Sequence, residues 1–473
     1  MKTYADLYTA LCDEQNHSTM LRDENTICMA ANPHLSASEG VAILGGGLAG
    51  LAAAHVTRAP LFEAESQFGG VAISDREDGF AFDRGIHVLQ TKNPRIIKLL
   101  DDLGVQLITH DRQAYIHSHG VYTPYPFQVN TAGLPLGLRI RCVLDYLRRE
   151  RKTRPQNYED WIYATIGRTF GDTFLIPYSE KFWGVHPREM TYEWTGNRVP
   201  HTSTAHVLRG AVWSKQTAVG TNAQFRYPSG GYGDIAEALA RQVGSLHPGH
   251  RAVRVDARDR RVRFANGAVL SYRHLISTIP LPELIAICPE APVDVHDAVA
   301  RLRTNSIVVV NIGIGRKPRN NWHWAHFPES SASFFRLSFT HNLAPNTVPE
   351  GMSGISAEVS YTRHDPPDRK AIVQRVIEDL RRVGLMERDD PVIHTSTREI
   401  PYAYCIYDFE RKQAVRTLRD WLRSQDITAA GRYGLWTNFW SDEAIMSGLQ
   451  AGERSVRSKG AEQPVPHETH EAA

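Results

Sequence analysis

A glycine-rich turn near the start of the chain constrains the fold more than any other feature. Gly45, Gly47 and Gly50 follow the spacing G-x-G-x-x-G between an apolar run, residues 41–44, and an alanine-rich segment. This order predicts a strand, a tight turn and a helix that begins at Leu48 and Ala49 with its free N–H groups facing an anion. Gly45 permits the turn, Gly47 lets a pyrophosphate approach the backbone, and Gly50 lets the helix pack on the strand.

An acidic residue strengthens this interpretation. Glu63 ends the next apolar run, Leu61-Phe62, where a carboxylate is placed to accept hydrogen bonds from ribose hydroxyls. A glycine-rich turn alone is also common in ordinary connections between a strand and a helix. With the strand, the helix and the acid in this order, the sequence predicts dinucleotide binding.

Two further segments point to the kind of dinucleotide. Gly69 and Gly70 come soon after Glu63 and are followed by Val71, and Asp83-Arg84-Gly85-Ile86-His87 comes next. A second glycine pair at this place suggests backbone packed against more cofactor than a nicotinamide enzyme holds there. Together the segments resemble the flavoprotein superfamily of amine oxidases, protoporphyrinogen oxidases and UDP-galactopyranose mutases. The resemblance implies FAD, with Gly69, Gly70 and Val71 against it.

The resemblance also implies an α/β fold, with a FAD-binding Rossmann-like domain of the glutathione-reductase type interleaved with a mixed sheet-plus-helix substrate domain. The chain length of 473 residues accommodates this. We expect the following division: N-terminal extension 1–38; FAD-binding segments 39–105, 226–290 and 396–460; substrate-domain segments 106–225 and 291–395; disordered tail 461–473.

Local patterns predict individual elements. Apolar periodicity predicts helices at 93–103 and 371–383 and a buried strand at 306–314. Residues 251–279 alternate as strands around an Asn266-Gly267 hairpin turn. Residues 136–195 are rich in helix-forming and aromatic residues; the aromatic side chains at 158–183 either form a core or stack on a nucleotide base.

The C-terminal part contains a second anion-friendly segment. Gly431-Arg432 and then Asp442 precede a final helix, and they resemble the last FAD motif of the mutases. The resemblance implies that Gly431 opens the contact, that Arg432 binds the pyrophosphate, and that backbone N–H groups near Ile445 face the flavin pyrimidine. The alternative is a surface pair of Arg432 and Asp442. Val253 is a candidate for the adenine contact, or else part of a plain buried strand.

Several segments resemble the mutases in particular: Tyr125-Pro126-Phe127, Tyr178 to Gly184, and Arg198-Val199-Pro200. The resemblance implies that Arg198 and Arg336 hold a nucleotide diphosphate, a role that suits the planar guanidinium. Tyr404 then contacts a phosphate, and His87 lies against the isoalloxazine, where it tunes flavin charge or shuttles a proton.

The function implied is a FAD-dependent mutase-like enzyme for a nucleotide-activated sugar, with ring isomerisation through a reduced-flavin N5 adduct. NAD(P)H as reductant and a homodimer are compatible with it. Residues 275–280 are more typical of oxidases, however, and Val359 and Tyr407 depart from the mutase pattern. The alternative is a FAD-dependent oxidase or dehydrogenase of the amine oxidase or protoporphyrinogen oxidase type, in which Trp436, Trp440 and Tyr404 line the substrate site beside the flavin. A flavoprotein scaffold without catalysis is a third possibility.

The amino-acid composition argues against several other classes of protein. The 54 Lys and Arg residues nearly balance the 52 Asp and Glu residues, which argues against nucleic-acid binding and a polybasic membrane patch. The densest basic run, 148–154, favours a solvated helix end. No apolar stretch reaches the roughly 18–20 residues that a membrane span needs. Five scattered cysteines without a CxxC pair indicate reduced thiols and a cytoplasmic location, and no metal site is expected.

Overall fold

The computed structural model describes residues 34–36, 40–150, 154–196, 202–213, 223–362 and 365–460. Its strands, in chain order, are β1 His34–Ser36, β2 Val41–Leu44, β3 Leu61–Phe62, β4 Ser74–Glu77, β5 Phe80–Asp83, β6 Leu107–Asp111, β7 Ala114–Ser118, β8 Val121–Pro124, β9 Gln224–Pro228, β10 Leu246–His247, β11 Ala252–Asp256, β12 Arg261–Phe264, β13 Val269–Ser271, β14 His274–Ser277, β15 Thr304–Ile314, β16 Trp324–His326, β17 Arg336–Phe339, β18 Ser353–Tyr361, β19 Val392–Cys405 and β20 Ile427–Ala429.

The helices are α1 Leu48–Thr57, α2 Pro94–Asp102, α3 Leu136–Arg148, α4 Tyr158–Ile166, α5 Arg168–Phe170, α6 Ile176–Trp183, α7 Thr204–Val212, α8 Gly233–Ala240, α9 Leu281–Ala286, α10 Val293–Ala300, α11 Thr340–Leu343, α12 Arg369–Arg382, α13 Arg411–Ser424, α14 Gly431–Gly434 and α15 Ser441–Gly460. A π-helical turn, Gly171–Leu175, joins α5 to α6.

A five-stranded parallel sheet lies at the centre of the first unit. Its order is β10-β3-β2-β14-β20, so β2 lies between β3 and β14. Strands buried on both faces read as continuous apolar runs, and all four residues of β2 are buried. The sheet takes strands from three separate parts of the chain, which is the interleaving that the resemblance implies. The fold is α/β.

Helices α1 and α15 pack closely against this sheet and against each other. A Cβ at Gly448 of α15 would lie 2.0 Å from the carbonyl oxygen of Ala49, and one at Gly452 would lie 3.1 Å from that of Ala53. Only residues without a side chain allow two helix backbones to approach this far. The last helix is thereby held against the helix that follows the glycine-rich turn.

The second unit is built on a seven-stranded sheet of order β19-β15-β18-β17-β16-β7-β8. Strand β15 pairs antiparallel with both β18 and β19, and helix α12 covers one face through Val376 and Leu380. A helical unit, α3 to α7, adjoins this sheet. Its aromatic side chains, including Phe170, Phe174 and Trp183, form a core.

The elements predicted from local patterns at 93–103, 306–314 and 371–383 are present as α2 Pro94–Asp102, β15 Thr304–Ile314 and α12 Arg369–Arg382. The predicted Asn266-Gly267 turn joins the antiparallel strands β12 and β13. Within the predicted extension 1–38, residues 34–36 add a parallel strand to β13. The tail 461–473 lies outside the described residues. None of the described helices has the length and apolar character that crossing a membrane requires.

Candidate functional site

The glycine-rich turn has the geometry of a phosphate-binding loop. Gly45 adopts a left-handed φ of +95°, and a Cβ at Gly50 would lie 1.9 Å from the Gly45 carbonyl oxygen. Gly47 caps the N-terminus of α1, which carries no acidic residue in its first turn, and Leu48 and Ala49 follow it. The positive end of the helix dipole is therefore directed at this loop.

The second glycine pair lies against the first. Gly69 N donates to the carbonyl of Gly46 at 2.8 Å, and a Cβ at Gly70 would lie 3.3 Å from Gly47 Cα. A Cβ at Gly47 itself would meet only the Gly69 carbonyl, at 4.0 Å. The open face of Gly47 is thus a cradle for a phosphate, with Val71 immediately beyond it, and these residues fit a dinucleotide cofactor.

Glu63 fixes the loop from the other side. Its Oε2 accepts from Gly46 N at 2.6 Å, and its Oε1 accepts from Glu65 N at 2.9 Å. Glu63 also lines a small cavity of about 60 Å³ together with Gly45, His250, Ala252 and Ile279. The cavity adjoins the Glu63 side chain, and the ribose contact of Glu63 stays a prediction.

The adenine contact proposed for Val253 stays a prediction. Ala252 lines the cavity, whereas the Val253 side chain is 42% exposed at an irregularity in the pairing of β11 with β12.

Asp83 is a buried residue whose role sequence reasoning missed. It accepts from Ser74 Oγ at 2.6 Å, from Tyr227 OH at 2.6 Å and from Tyr232 N at 3.0 Å. Burial raises the pKa of Asp83 to about 6, although these three donors lower it. The sequence signal that could have identified Asp83 was its position at the start of the Asp-x-Gly-x-His segment. Asp83 joins β5 to the start of α8 and positions Gly85, whose N–H donates to the Asp83 carbonyl.

His87 stands at the end of this segment. Its Nδ1 lies 2.9 Å from the Gly85 carbonyl, which can only accept, so Nδ1 carries the proton and Nε2 keeps a free lone pair. The ring stacks on Tyr232 at 5.3 Å. Removal from water, together with the charges of Arg432 and Arg336, lowers the pKa of His87 to about 4, although the hydrogen bond to the Gly85 carbonyl raises it. His87 is therefore neutral at physiological pH, and its Nε2 can accept a hydrogen bond.

Arg336 and Tyr404 come together as predicted, but with a third residue. The guanidinium of Arg336 makes two hydrogen bonds to the carboxylate of Glu358, through Nε and through an NH₂ group at 2.8 Å, and that NH₂ group also donates to Tyr404 OH at 3.1 Å. Glu358 is 2% exposed and its Oε1 also accepts from Ile86 N at 3.3 Å. Although burial alone lowers the pKa of Arg336, the Glu358 carboxylate raises it.

The Glu358 carboxylate largely compensates the charge of Arg336. Glu358 is the one charged residue in the sequence of β18, and this was the sequence signal for the pair.

Arg432 also has protein partners. Its two terminal nitrogens donate to the carbonyls of Phe439 at 2.7 Å and Ala403 at 2.9 Å, and its guanidinium lies 5.1 Å from the centre of the Tyr404 ring. The predicted pyrophosphate contact stays a prediction, while the bonds observed tie the C-terminal motif to β19.

The rest of the C-terminal motif adjoins α1. Gly431 has a φ of +76°, and a Cβ there would lie 2.7 Å from Ala49 Cβ. Asp442 lies in the first turn of α15, and Ile445 is fully buried in the next turn. The motif therefore presents a second helix N-terminus beside the first.

A third arginine, Arg112, lies in this region without an acidic partner among the described residues. Arg112 is 7% exposed and lies over the Tyr125 ring at 4.8 Å, and in the part of the chain that the structure describes its guanidinium has no hydrogen bond or ion pair. The Tyr125 ring is 5.8 Å from His326, whose Nδ1 is 2.9 Å from Tyr178 OH. No sequence pattern singled out Arg112.

Two other sequence predictions have different outcomes. Arg198 lies outside the described residues. Trp436 is fully buried and packs on Tyr402 at 5.9 Å, so the expectation that it lines a substrate site is wrong, because its position in the core excludes contact with a ligand.

Within the described ranges there is no group of three or more His, Cys, Asp or Glu side chains that could hold a metal ion.

Comparison with known proteins places this site in a family. The sequence profile of flavin containing amine oxidoreductases matches residues 48–454, most of the chain. The chain belongs to this family. Its cofactor is FAD, and the glycine loops, Glu63 and the C-terminal motif are the residues that would hold it.

One solved structure, described as reduced UDP-galactopyranose mutase, is similar over 88% of this chain and 94% of that one, with a TM-score of 0.83 and 27% identity. Two curated relatives match at 33% identity. They are a coproporphyrinogen III oxidase of Propionibacterium freudenreichii subsp. freudenreichii, over 93 residues, and protoporphyrinogen oxidase 2 of Arabidopsis thaliana, over 95 residues. Each match spans 18% of this chain and less than a fifth of the relative's length.

Proposed function

We propose that this flavoenzyme is a mutase-like isomerase that acts on a nucleotide-activated sugar. The observation that carries the proposal is the convergence of Arg336, Tyr404 and Arg432 beside His87. A nucleotide diphosphate is a multiply charged anion, and arginine is the side chain best suited to bind it. The similarity to a UDP-galactopyranose mutase structure over most of the chain supports the same class of substrate.

Each residue has a role in this reaction. Arg336 donates to Tyr404 Oη, so the hydroxyl hydrogen of Tyr404 remains free to donate to a phosphate oxygen. The unpaired cation of Arg112 supplies positive charge that no carboxylate of the described chain cancels. Such preorganised donors stabilise a diphosphate as its negative charge develops on leaving the sugar.

His87 holds an accepting Nε2 and a proton on Nδ1, which suits it to orient a substrate hydroxyl or the cofactor by accepting a hydrogen bond, and its low pKa keeps it neutral beside the two arginines. FAD, when bound in its reduced form, supplies the electron-rich centre at which the sugar reacts.

A second candidate is an oxidase or dehydrogenase. The partial sequence matches to two porphyrinogen oxidases favour it, and Ser277-Thr278 at the end of β14 belongs to a segment more typical of oxidases. Thr278 Oγ1 donates to the carbonyls of Leu44 and Gly45 at 3.1 and 3.0 Å, so this side chain stabilises the glycine-rich turn of the cofactor domain. The oxidase-like segment is therefore an argument about the cofactor site more than about the substrate.

The two functions are separated by the mass of the product. The protein is reduced with dithionite without oxygen and incubated with a panel of UDP- and dTDP-hexoses, and the products are analysed by chromatography and mass spectrometry. An isomer of unchanged mass, formed over many turnovers after one reduction, is expected of the mutase. A product lighter by two hydrogens, formed only with oxidised protein, contradicts the proposal and establishes the oxidase.

A further inference from the structure

Two neighbouring helices carry most of the large apolar side chains that the described residues expose. Of thirteen such side chains, seven lie on α3, on α7 or directly after α7. They are Leu136, Ile140, Leu144, Leu147, Leu208, Val212 and Trp213. The exposed fractions of Val212 and Trp213 are 82% and 72%. Single exposed apolar residues need no explanation, but a contiguous group marks an interaction surface.

The four residues on α3 form one stripe. Leu136, Ile140, Leu144 and Leu147 recur at the spacing of a single helix face. The opposite face, with Leu138, Cys142 and Tyr146, is buried in the helical core. Helix α3 is therefore apolar on both sides, and the core covers only one of them.

Helix α7 lies beside α3 and adds to the same surface. Arg139 of α3 donates to the carbonyl of Ala211 at 3.0 Å, and Tyr146 OH donates to the carbonyl of Thr202 at 2.8 Å. These bonds hold the two helices side by side, with Leu208 and Val212 exposed on α7.

The charges around this surface are mostly positive. Arg141 and Arg148, seven residues apart, flank the stripe on α3, and Arg209 is exposed on α7. The acid within α3, Asp145, is engaged inward and accepts from Thr169 N at 3.1 Å. A two-fold contact between copies would bring like arginines near one another. A surface that carries negative charge complements them.

We propose that α3 and α7 form a docking face for an anionic lipid surface, on which the protein lies without spanning it. The apolar side chains enter the boundary between headgroups and acyl chains, the depth that Trp213 favours, and the arginines contact the headgroups. The overall charge of the chain does not indicate this positively charged face, because acidic residues elsewhere on the chain balance its arginines.

Vesicle binding of the full-length, FAD-loaded protein tests the proposal. The protein is floated with vesicles of phosphatidylcholine alone or with about 30% phosphatidylglycerol. We expect binding to the anionic vesicles that weakens with added salt, and little binding to the neutral ones. Sedimentation velocity measures the oligomeric state of the same sample.

The variants Ile140→Asp and Val212→Asp change exposed positions, so the fold is retained. Each is expected to weaken binding to anionic vesicles about tenfold or more, whereas Val293→Asp on α10, at a position that is 76% exposed, leaves it unchanged. Arg141→Gln and Arg148→Gln weaken it about fivefold each.

Two results overturn the proposal. One is no binding of the wild-type protein to anionic vesicles, which includes the case that another part of the chain covers the face. The other is a dimer that Ile140→Asp converts to a monomer, which assigns the face to a second copy.

Discussion

At the scale of single residues, the pairing of Arg336 with Glu358 changes how the diphosphate site has to be tested. Replacing Arg336 alone leaves a buried carboxylate without its counterion, which costs about 3–5 kcal/mol of stability. A loss of substrate binding would then be confused with a loss of folding. The informative change removes both charges together.

We therefore predict that Arg336→Gln/Glu358→Gln weakens UDP binding by about 10- to 150-fold while FAD stays bound, since a charged hydrogen-bond partner is lost. Titration calorimetry with UDP and the flavin spectrum measure the two properties. Glu358→Gln alone keeps the guanidinium but leaves it buried without its counterion, so its UDP affinity is compared only after thermal unfolding shows that the variant is folded. Equal UDP affinity in the wild type and the double variant would remove Arg336 from the site.

Asp83 is the second residue with a measurable role. Asp83→Ala leaves three buried donors without an acceptor, and we expect it to lower the free energy of unfolding by at least about 2 kcal/mol and to weaken FAD binding. Asp83→Asn keeps an acceptor and is expected to be milder. Denaturant unfolding measures the difference, with the exposed Asp101→Ala as control. A fully stable Asp83→Ala protein would show that these hydrogen bonds are dispensable.

At the scale of elements, the contact of α1 with α15 depends on Gly448. An alanine gains up to about 1 kcal/mol in helix propensity, but its Cβ would lie 2.0 Å from a backbone oxygen, and overpacking costs about 1–3 kcal/mol or more. The clash prevails because no side-chain rotation relieves it. We predict that Gly448→Ala lowers the melting temperature and releases FAD.

The matched control is Gly244→Ala, since a Cβ at Gly244 meets nothing within 4 Å. Both variants are compared by thermal unfolding and by the amount of FAD that remains bound after gel filtration. If Gly448→Ala behaves like Gly244→Ala, the helices have room to separate and the close packing is not required.

At the scale of the whole molecule, buried histidines make the fold sensitive to acid. Burial lowers the pKa of His323 and His341 to about 4 and that of His326 to about 3, against about 6.5 in an unfolded chain. Between pH 6.5 and 4 the unfolded chain therefore holds protons that the folded protein does not, and stability falls as pH falls. Asp83 has the opposite effect on stability. Because its pKa is raised to about 6 in the folded protein, below pH 6 the folded protein holds a proton on Asp83 that the unfolded chain does not, and this contribution favours the folded state as pH falls.

His323, buried and with Nδ1 accepting from Gln113 N at 3.0 Å, is the clearest case. We predict that His323→Gln removes on the order of 2 kcal/mol of the stability lost between pH 7 and pH 5. Melting temperatures across this range measure it, and the exposed His296→Gln is the control. Parallel curves for wild type and His323→Gln would show that the pKa of this histidine is the same in the folded and unfolded protein and would contradict the prediction.

The sequence by itself determined the strand, glycine turn and helix that begin at residue 41, the hairpin at Asn266-Gly267 and the helix predicted at 371–383. Each depends on residues close together in the chain, whose spacing and backbone preferences act locally. The cofactor followed from the same local motifs and from the resemblance they carry.

Only the tertiary structure decided the partners of the charged groups. Arg336 meets Glu358 because β17 and β18 pair in that register, and Asp83 meets Tyr227 and Tyr232 across about 150 residues. The apolar stripe of α3 can be recognised in the sequence, but the sequence pattern does not predict which face of the helix a neighbouring element covers. Contacts between distant segments depend on how whole elements pack, and the spacing of residues within one element does not determine this packing.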